Sequence, residues 1–221
     1  TCTASRGAIL TGQWFARLEE GGNLWSTLPA KFDVDRDLLE RAGYTVGFTG
    51  KGWGPGDFRP GGRTRNPAGP EFNQRTLKPP ATGIHNVDYA ANFADFLAQR
   101  KQDQPFCFWY GGFEPHRPYE KGSGLKNGKR LADVRLPGAL PDAEAVRSDL
   151  LDYAREIDWC DEQLGRILAQ IEKAGELDNT LIAITGDNGL PFPRCKANLY
   201  DNGPHIPLAV RWGARAKGAR V

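Results

Sequence analysis

The segment TVGFTGKGWGPG, residues 45–56, contains the pattern on which the fold depends. Its first five residues are β-branched, aromatic or small, and they show no alternation of apolar and polar positions. Such a run is typical of a strand that is buried on both faces of a sheet. A glycine-rich turn carrying Lys51 follows directly. We therefore expect a buried strand with a polar turn at its carboxyl end.

Three further segments repeat the strand pattern, at residues 105–110, 180–185 and 207–212. Helical patterns lie between the strands, at residues 35–42, 87–99 and about 142–174. Strands that alternate with helices predict one α/β domain with a largely parallel sheet sandwiched by helices. On the longest helix, the residues at core spacing are Leu150, Ala154, Ile157, Leu164, Leu168 and Ile171, and its acidic residues are expected to face solvent. Residues 57–83 and 121–140 are expected to be long surface loops.

Composition and charge exclude several classes of protein. The net charge is +2, from 29 basic and 27 acidic residues, so no basic surplus points to nucleic acid. No apolar run approaches the length that crosses a bilayer, so no membrane span is predicted. None of the four cysteines forms a CxxC pair, which argues against structural zinc, and Cys107 and Cys160 are interpreted as inert core residues. The chain has no Met and begins at Thr1, so we expect both ends of the natural protein to be missing.

Polar residues follow three of the predicted strands. Lys51 follows the first strand, His116 follows the second, and Asp187, Asn188 and Lys196 follow the third. Taken singly, each has an ordinary interpretation as a solvated lysine, a loop histidine or a turn. Ligands of open α/β sheets bind beyond the carboxyl ends of the strands, so together these residues predict one site. Lysines bind tetrahedral oxyanions, and Asp and Asn oxygens suit a hard cation, which favours sulfate or phosphate ester chemistry.

Four segments then resemble the signatures of the type I, formylglycine-dependent sulfatases of the alkaline phosphatase superfamily. CTASRGAILTG resembles the first signature, C-x-[PA]-S-R followed by TG, and AGYTVGFTGKGW resembles the second, GYxTxxxGK. FEPHRPY resembles the PHxPY segment, and ITGDNGLPFPRCKANLYDNGPHIPLAVRW resembles the DNG segment. The order along the chain agrees. DNGLPFP with NLY resembles the branch that contains the sulfamidase (heparan N-sulfatase)-like enzymes.

The resemblance implies a sulfatase-like fold and a modified nucleophile. Cys2 would be the residue that a maturation enzyme oxidises to Cα-formylglycine, reading the CxAxR core of the signature. The hydrated aldehyde would attack sulfur with one hydroxyl, and its second hydroxyl would allow sulfate to leave. A helix that begins just after Cys2 would direct its positive end at the developing anion.

The resemblance also implies roles for the other polar residues. Arg6 would hold the diol and support the metal side of the site. Lys51 and Lys196 would bind sulfate oxygens, with Lys196 also helping the leaving group. His116 would bind the sulfate ester or donate a proton to the leaving atom. His205 occupies the position of a family arginine, where it would either line the substrate pocket or act structurally.

A metal ion and two departures from the family pattern complete this interpretation. Asp187 and Asn188 would bind calcium, or magnesium in its place. The family's other two metal ligands would lie on a first strand before Thr1, so the chain is interpreted as a partial catalytic domain over residues 1–221, without that strand and without the smaller C-terminal subdomain. Trp53 stands where many sulfatases have a histidine that helps to deprotonate the diol, and His85 is a substitute only by elimination.

The function that the resemblance implies is removal of O- or N-linked sulfate from a sulfated carbohydrate. One alternative is a phosphomonoester or phosphonate hydrolase of the same superfamily. Another is a non-catalytic remnant that binds sulfated glycan through Lys51, Arg117 and Lys196. The resemblance implies a periplasmic, secreted or lysosomal enzyme, with the signal peptide outside this chain. The sequence contains no N-x-[ST] glycosylation site, which favours a periplasmic or secreted bacterial enzyme over a lysosomal one.

Overall fold

The computed structural model describes residues 1–216, 218 and 219. Helices and strands alternate along most of the chain, as an α/β domain requires. The helices are α1 (Cys2–Thr11), α2 (Asp35–Arg41), α3 (Tyr89–Gln99), α4 (Ser123–Lys126) and α5 (Glu144–Lys173). The strands are β1 (Thr45–Gly50), β2 (Phe106–Gly111), β3 (Ile182–Thr185) and β4 (Leu208–Arg211). The helical and strand segments predicted between residues 35 and 212 are therefore confirmed, with small shifts at their ends. None of the described helices is long and apolar enough to cross a membrane.

The parallel pair β1–β2 organises the core. Thr45 lies opposite Phe106 and Gly50 lies opposite Gly111, so both strands end at the same edge. Helix α3 connects the two strands and packs with α5 over them, burying Phe93 and the side chains around it. Apart from its first residue, β1 is buried, as its uninterrupted apolar run predicts.

The second strand pair differs from the first. Strands β3 and β4 pair antiparallel, with Ile182 opposite Arg211 and Thr185 opposite Leu208, and among the described residues they form a sheet of their own. Both strands are largely exposed, so the expectation of burial on both faces is wrong for them. An apolar run predicts extended backbone, but burial also requires a neighbouring layer, and the described residues supply none here.

Helix α5 buries a face that only partly matches the one that its apolar spacing predicts, with Ile171 in both. Ile157 is 41% exposed, although the spacing places it in the core. The buried residues are Leu151, Asp152, Glu156, Trp159, Gln163, Ile167 and Ile171. The expectation that its acidic residues face solvent is wrong for Asp152 and Glu156, because polar side chains within the buried stripe hide its period. Asp152 accepts hydrogen bonds from the backbone N–H groups of Gly122 and Gly124, both at 2.9 Å. It thereby provides an acceptor for N–H groups at the start of α4 that have no partner within the helix.

The two predicted loops are more ordered in their packing than their composition indicates. Residues 57–83 contain no helix or extended strand, yet Ala68 is fully buried and Phe72 joins the core under α3. Residues 121–140 include α4 and a further short helical turn, so the interpretation as a plain loop is wrong there. Burial raises the pKa of the Cys107 and Cys160 thiols, which disfavours the reactive thiolate form of both.

Candidate active site

The first helix places Cys2 at the edge where the strands end. Cys2 is the first residue of α1 and is 4% exposed. The helix is held from its other end, where Leu10 packs among buried side chains that include Leu18, Leu28 and Trp53. Thr3 donates a hydrogen bond from its Oγ1 to the carbonyl oxygen of Pro55 at 2.5 Å. These contacts fix the start of α1 against the turn that follows β1.

Two glycines allow β1 and β2 to end in close contact. A Cβ on Gly111 would lie 1.9 Å from the carbonyl oxygen of Lys51, and a Cβ on Gly50 would lie 2.1 Å from the carbonyl oxygen of Gly111. The backbone N–H of Lys51 donates to the Gly111 carbonyl at 2.6 Å. Gly50 also has a φ of 74°, a conformation that favours glycine. Lys51 therefore leaves the sheet at its carboxyl edge.

Arg6 joins three separate parts of the chain. Its Nη1 donates to the carbonyl oxygens of Lys51 at 2.6 Å and Gly52 at 2.9 Å, and its Nε donates to Asp187 Oδ2 at 2.7 Å. The Arg6 side chain is 9% exposed. The indole of Trp109 also donates to the Lys51 carbonyl at 3.1 Å, and its ring centre lies 5.7 Å from the guanidinium carbon. The carboxyl edge is thus held together by one buried arginine.

Asp187 and Asn188 lie beside Cys2. The Asn188 amide donates to Asp187 Oδ1 at 2.6 Å and approaches the Cys2 sulfur at 3.6 Å. Burial raises the pKa of the Asp187 carboxyl, but the charges of Arg6 and Lys51 and the hydrogen bonds from Arg6 and Cys2 outweigh it, so the pKa lies below its usual value. Asp187 is therefore an ionised carboxylate within reach of the Lys51 charge.

The Asp187–Asn188 pair fits a hard cation in chemistry but supplies only part of its ligands. A carboxylate and an amide oxygen are ligands that calcium prefers, and calcium takes about six to eight of them. Within residues 1–216, 218 and 219, no group of three or more His, Cys, Asp and Glu side chains is arranged to hold a metal. Both Asp187 oxygens already accept hydrogen bonds, from Arg6 and Asn188. The described residues therefore offer two oxygen ligands here, fewer than calcium takes.

The turn that carries His116 follows β2. His116 is exposed, and its Nδ1 lies 2.8 Å from the carbonyl oxygen of Arg117. Arg117 fixes the turn to neighbouring segments, since it donates to the Pro191 carbonyl at 3.1 Å and pairs with both oxygens of Asp149. Arg117 thus connects the His116 turn to the segment that runs from Asp187 to Lys196.

Two other candidate residues have no hydrogen bond to the cluster around Arg6 in the described structure. Lys196 is half-buried, and its backbone N–H donates to the Leu190 carbonyl at 2.9 Å. His205 is exposed, with its Nδ1 3.3 Å from Asp201 Oδ2. Hydrogen bonds and charge interactions therefore connect Cys2, Arg6, Lys51, Asp187 and Asn188, while His116, Lys196 and His205 form no hydrogen bond to this group among the described residues.

Two supporting features of the site have no signal in the sequence. In the sequence, Trp109 does not differ from other aromatic strand residues. In the fold, its ring lies against Arg6 and its indole N–H donates to the Lys51 carbonyl. Glu114 is buried in the His116 turn and accepts hydrogen bonds from the His85 backbone N–H and the Tyr89 hydroxyl, both at 2.7 Å. Only the folded contacts reveal these roles, because their partners are distant in sequence.

Comparison with known proteins identifies the family of the chain. The Sulfatase family model matches residues 1–220 of the chain. The chain is similar to the N-sulphoglucosamine sulphohydrolase of Homo sapiens, with 32% identity over 143 residues, which cover 52% of this chain and 28% of that protein. The matched region thus spans little more than a quarter of this relative.

Solved structures show the same fold. The Bacteroides fragilis protein yidJ, assigned as a sulfatase, superposes with a TM-score of 0.71 at 19% identity, covering 98% of this chain and 59% of that one. The phosphonate monoester hydrolase SpPMH of Silicibacter pomeroyi superposes with a TM-score of 0.68 at 18% identity, covering 97% and 59%. The chain therefore has the fold of these two solved structures. Since the family model spans nearly the whole chain, this protein belongs to the sulfatase family.

Proposed function

We propose that the complete protein is a sulfuric ester hydrolase that removes O- or N-linked sulfate from a sulfated carbohydrate. One observation supports the proposal most strongly. A nucleophile position, cations and oxygen ligands lie together at one edge of the sheet. The residues that converge are Cys2, Arg6, Lys51, Asp187 and Asn188. A cationic group beside a carboxylate–amide pair suits a tetrahedral anion held against a divalent cation.

Cys2 is the proposed nucleophile position, after its oxidation to Cα-formylglycine by a maturation enzyme. The hydrated aldehyde supplies a second hydroxyl, which allows sulfate to be released without attack of water on an enzyme-bound ester. The position suits a group that meets an anion, because it lies at the start of a ten-residue helix and beside the Asn188 amide. An ordinary buried thiol would need no such surroundings.

The cations are proposed to bind and orient the sulfate group. The Lys51 side chain follows a rigid strand end, so its ammonium would meet sulfate oxygens at a fixed place. Arg6 would act on the substrate side only indirectly, since its guanidinium already binds the Lys51 and Gly52 carbonyls and Asp187. We propose that His116 and Lys196 bind the ester from the far side, with either one donating the proton to the leaving atom.

Asp187 and Asn188 are the proposed protein ligands of a calcium or magnesium ion. Such an ion would act as a Lewis acid toward a sulfate oxygen and would add to the positive field of the site. The lowered pKa of Asp187 supports this role, because an ionised carboxylate binds a cation without first losing a proton.

The relatives, rather than any subsite in the described structure, support the proposed substrate class. The human relative is named for the hydrolysis of N-sulphoglucosamine, which supports a sulfated amino sugar as the first substrate to test. The structural likeness to a phosphonate monoester hydrolase supports the runner-up, a phosphate or phosphonate ester hydrolase, but it does so through the fold alone.

The test compares matched aryl sulfate and aryl phosphate esters, together with N-sulfoglucosamine, in the complete protein co-produced with a maturation enzyme. We expect faster turnover of the sulfates, and we expect Cys2→Ala to abolish it. Cys107→Ala is the matched control, because Cys107 lies on β2 and outside the cluster, and it should retain activity. Turnover of the phosphate alone would reject the sulfatase proposal.

The mass of the peptide that carries Cys2 separates the remaining alternative. An aldehyde in place of the thiol supports a matured hydrolase. A fully intact thiol, together with glycan binding that survives Cys2→Ala, would instead establish a non-catalytic protein that binds sulfated glycan.

A further inference from the structure

A second carboxyl group is buried behind the His116 turn, outside the candidate active site. Glu156 of α5 is 2% exposed, and neither of its carboxylate oxygens has a hydrogen-bond partner among the described residues. One of these oxygens lies 3.1 Å from the point where a Cβ on Gly83 would stand. The carbonyl oxygen of Pro118 lies 2.2 Å from the same point. One Glu156 oxygen and the Pro118 carbonyl of the His116 turn therefore both lie against Gly83.

Glu114 supports the same turn with a carboxylate whose hydrogen bonds are satisfied. Its two oxygens accept from the His85 backbone N–H and from the Tyr89 hydroxyl. The Tyr89 oxygen in turn accepts from the backbone N–H of Phe113 at 3.1 Å. These bonds give both oxygens of Glu114 a donor and fix the beginning of the turn that presents His116.

Glu156 lacks any such donors, so its charged form is disfavoured. A buried carboxylate without hydrogen bonds is costly, and a neighbouring carboxylate adds repulsion. Burial and the charge of Glu114 raise the pKa of Glu156 to about 8, against the opposing charge of Arg155 on the same helix. Tyr119 lies close enough to interact with the charge of Glu156, and Tyr89 and Cys160 lie close enough to interact with that of Glu114. Burial raises the pKa of all three groups, so they stay neutral. At neutral pH, Glu156 therefore carries its proton.

We propose that Glu156 is a positioning residue whose protonated carboxyl group holds the His116 turn in place, and that loss of this proton releases the turn. The neutral carboxyl has an O–H donor, and the Pro118 carbonyl beside Gly83 is an acceptor within the turn. After ionisation the proton passes to solvent, and two carboxylates share one buried pocket. The turn then moves to admit water. The proposal rests on the proposed function, in which His116 contacts the sulfate ester.

Two measurements on the full chain test the proposal, with Glu156→Gln as the variant. Glutamine keeps the shape and the neutral state at every pH. Glu162→Gln is the matched control, because Glu162 lies on the exposed face of the same helix. The first measurement is kcat/KM for an aryl sulfate from pH 6 to 9.5. The second is hydrogen exchange of the backbone amides of residues 113–120 over the same range, corrected for the intrinsic pH dependence of exchange.

For the wild-type protein and the Glu162→Gln control, we expect kcat/KM to fall about tenfold between pH 7 and pH 9, with a midpoint near the Glu156 pKa of about 8. The backbone amides of residues 113–120 should lose their protection from hydrogen exchange over the same pH interval. Glu156→Gln should show neither change. Equal alkaline midpoints in the wild type and Glu156→Gln would overturn the proposal.

Hydrogen exchange keeps this test separate from that of the proposed function. If no sulfate ester is hydrolysed, the proposed function fails, while pH-dependent opening of residues 113–120 that Glu156→Gln abolishes still supports the role of Glu156. If Glu156→Gln does not fold, hydrogen exchange of the wild-type protein alone tests the proposal. Unchanged protection of these residues across pH 7 to 9 would then reject the proposal.

Discussion

At the scale of single residues, Arg6 is the described side chain that joins the most segments of the candidate site. It contacts the backbone after β1 and the carboxylate after β3 at the same time. A planar guanidinium can donate in these directions together, whereas an ammonium on a flexible stem cannot. Arg6 therefore acts as a structural centre for the residues that are proposed to do the chemistry.

We predict that Arg6→Lys lowers the free energy of unfolding by about 1–3 kcal/mol, since it leaves buried carbonyl oxygens without donors. Urea unfolding measures this change. Arg59→Lys is the control, because Arg59 forms an exposed pair with Asp57, and its unfolding midpoint should not move. Equal midpoints for the two variants would contradict the role of Arg6.

The raised pKa of Glu156 predicts that the stability of the fold depends on pH, whether or not the protein is catalytically active. Its pKa is raised from 4.5 in the reference state to about 8 in the fold, so the folded state binds the proton more tightly. The stabilisation from this proton is complete below about pH 4.5 and is lost as pH rises to about 8. Above that value both states are ionised and the dependence ends.

We therefore predict that Glu156→Gln gains stability relative to the wild type between pH 5 and pH 8, by at most about 1.4 kcal/mol per pH unit. Thermal unfolding at a series of pH values measures the difference. Glu162→Gln, on the exposed face of α5, should follow the wild type. A constant difference between Glu156→Gln and the wild type across this range would show that Glu156 is ionised throughout.

At the scale of elements, the position of Lys51 depends on how closely β1 and β2 end together. Gly111 leaves room for the Lys51 carbonyl, and that carbonyl accepts from both Arg6 and Trp109. A side chain at Gly111 would separate the strand ends and displace the carbonyl. The site thus depends on the absence of a side chain at Gly111 as much as on the side chains that surround it.

We predict opposite effects for two Gly→Ala substitutions. Gly111→Ala should destabilise the fold and abolish sulfate ester hydrolysis, because its Cβ would lie 1.9 Å from the Lys51 carbonyl oxygen. Gly165→Ala, in the middle of α5 where nothing lies within 4 Å of a new Cβ, should stabilise the fold by about 0.5–1 kcal/mol. Urea unfolding and the aryl sulfate assay measure both. Destabilisation by Gly165→Ala would mean that α5 is not a regular helix at this point.

At the scale of the whole molecule, the two strand pairs differ in how well they are covered. The β1–β2 pair lies under α3 and α5, while β3 and β4 expose apolar side chains, among them Leu208 at 69% and Val210 at 55%. An exposed apolar strand pair favours association with another chain. The surface formed by β3 and β4 is therefore prone to association.

We predict that the 221-residue chain self-associates and that the double variant Leu208→Lys, Val210→Lys reduces this association. Light scattering against concentration measures it. The control adds the same charge elsewhere, as Thr64→Lys with Gln74→Lys at exposed positions of the 57–83 loop. Equal reduction by both double variants would attribute the effect to net charge rather than to the β3–β4 surface.

Much of the fold was predictable because strands and helices depend on neighbours in sequence. The apolar run before Lys51 predicts β1 over residues 45–49, and the structure has Thr45–Gly50. The spacing that predicts a helix over about residues 142–174 corresponds to Glu144–Lys173. The polar residues at three strand ends, and the signature that begins at Cys2, were likewise sufficient to predict the sulfatase family.

The sequence by itself determined the main strands and helices, their order, the family and the identity of the polar residues at the strand ends. Only the tertiary structure decided which face of α5 is buried, that β3 and β4 pair antiparallel, that Glu156 is buried without partners, and that Arg6 meets Asp187 across 181 positions of chain. The physical reason is that periodicity and propensity are local properties, whereas burial, strand pairing and ion pairing depend on groups that folding alone brings together.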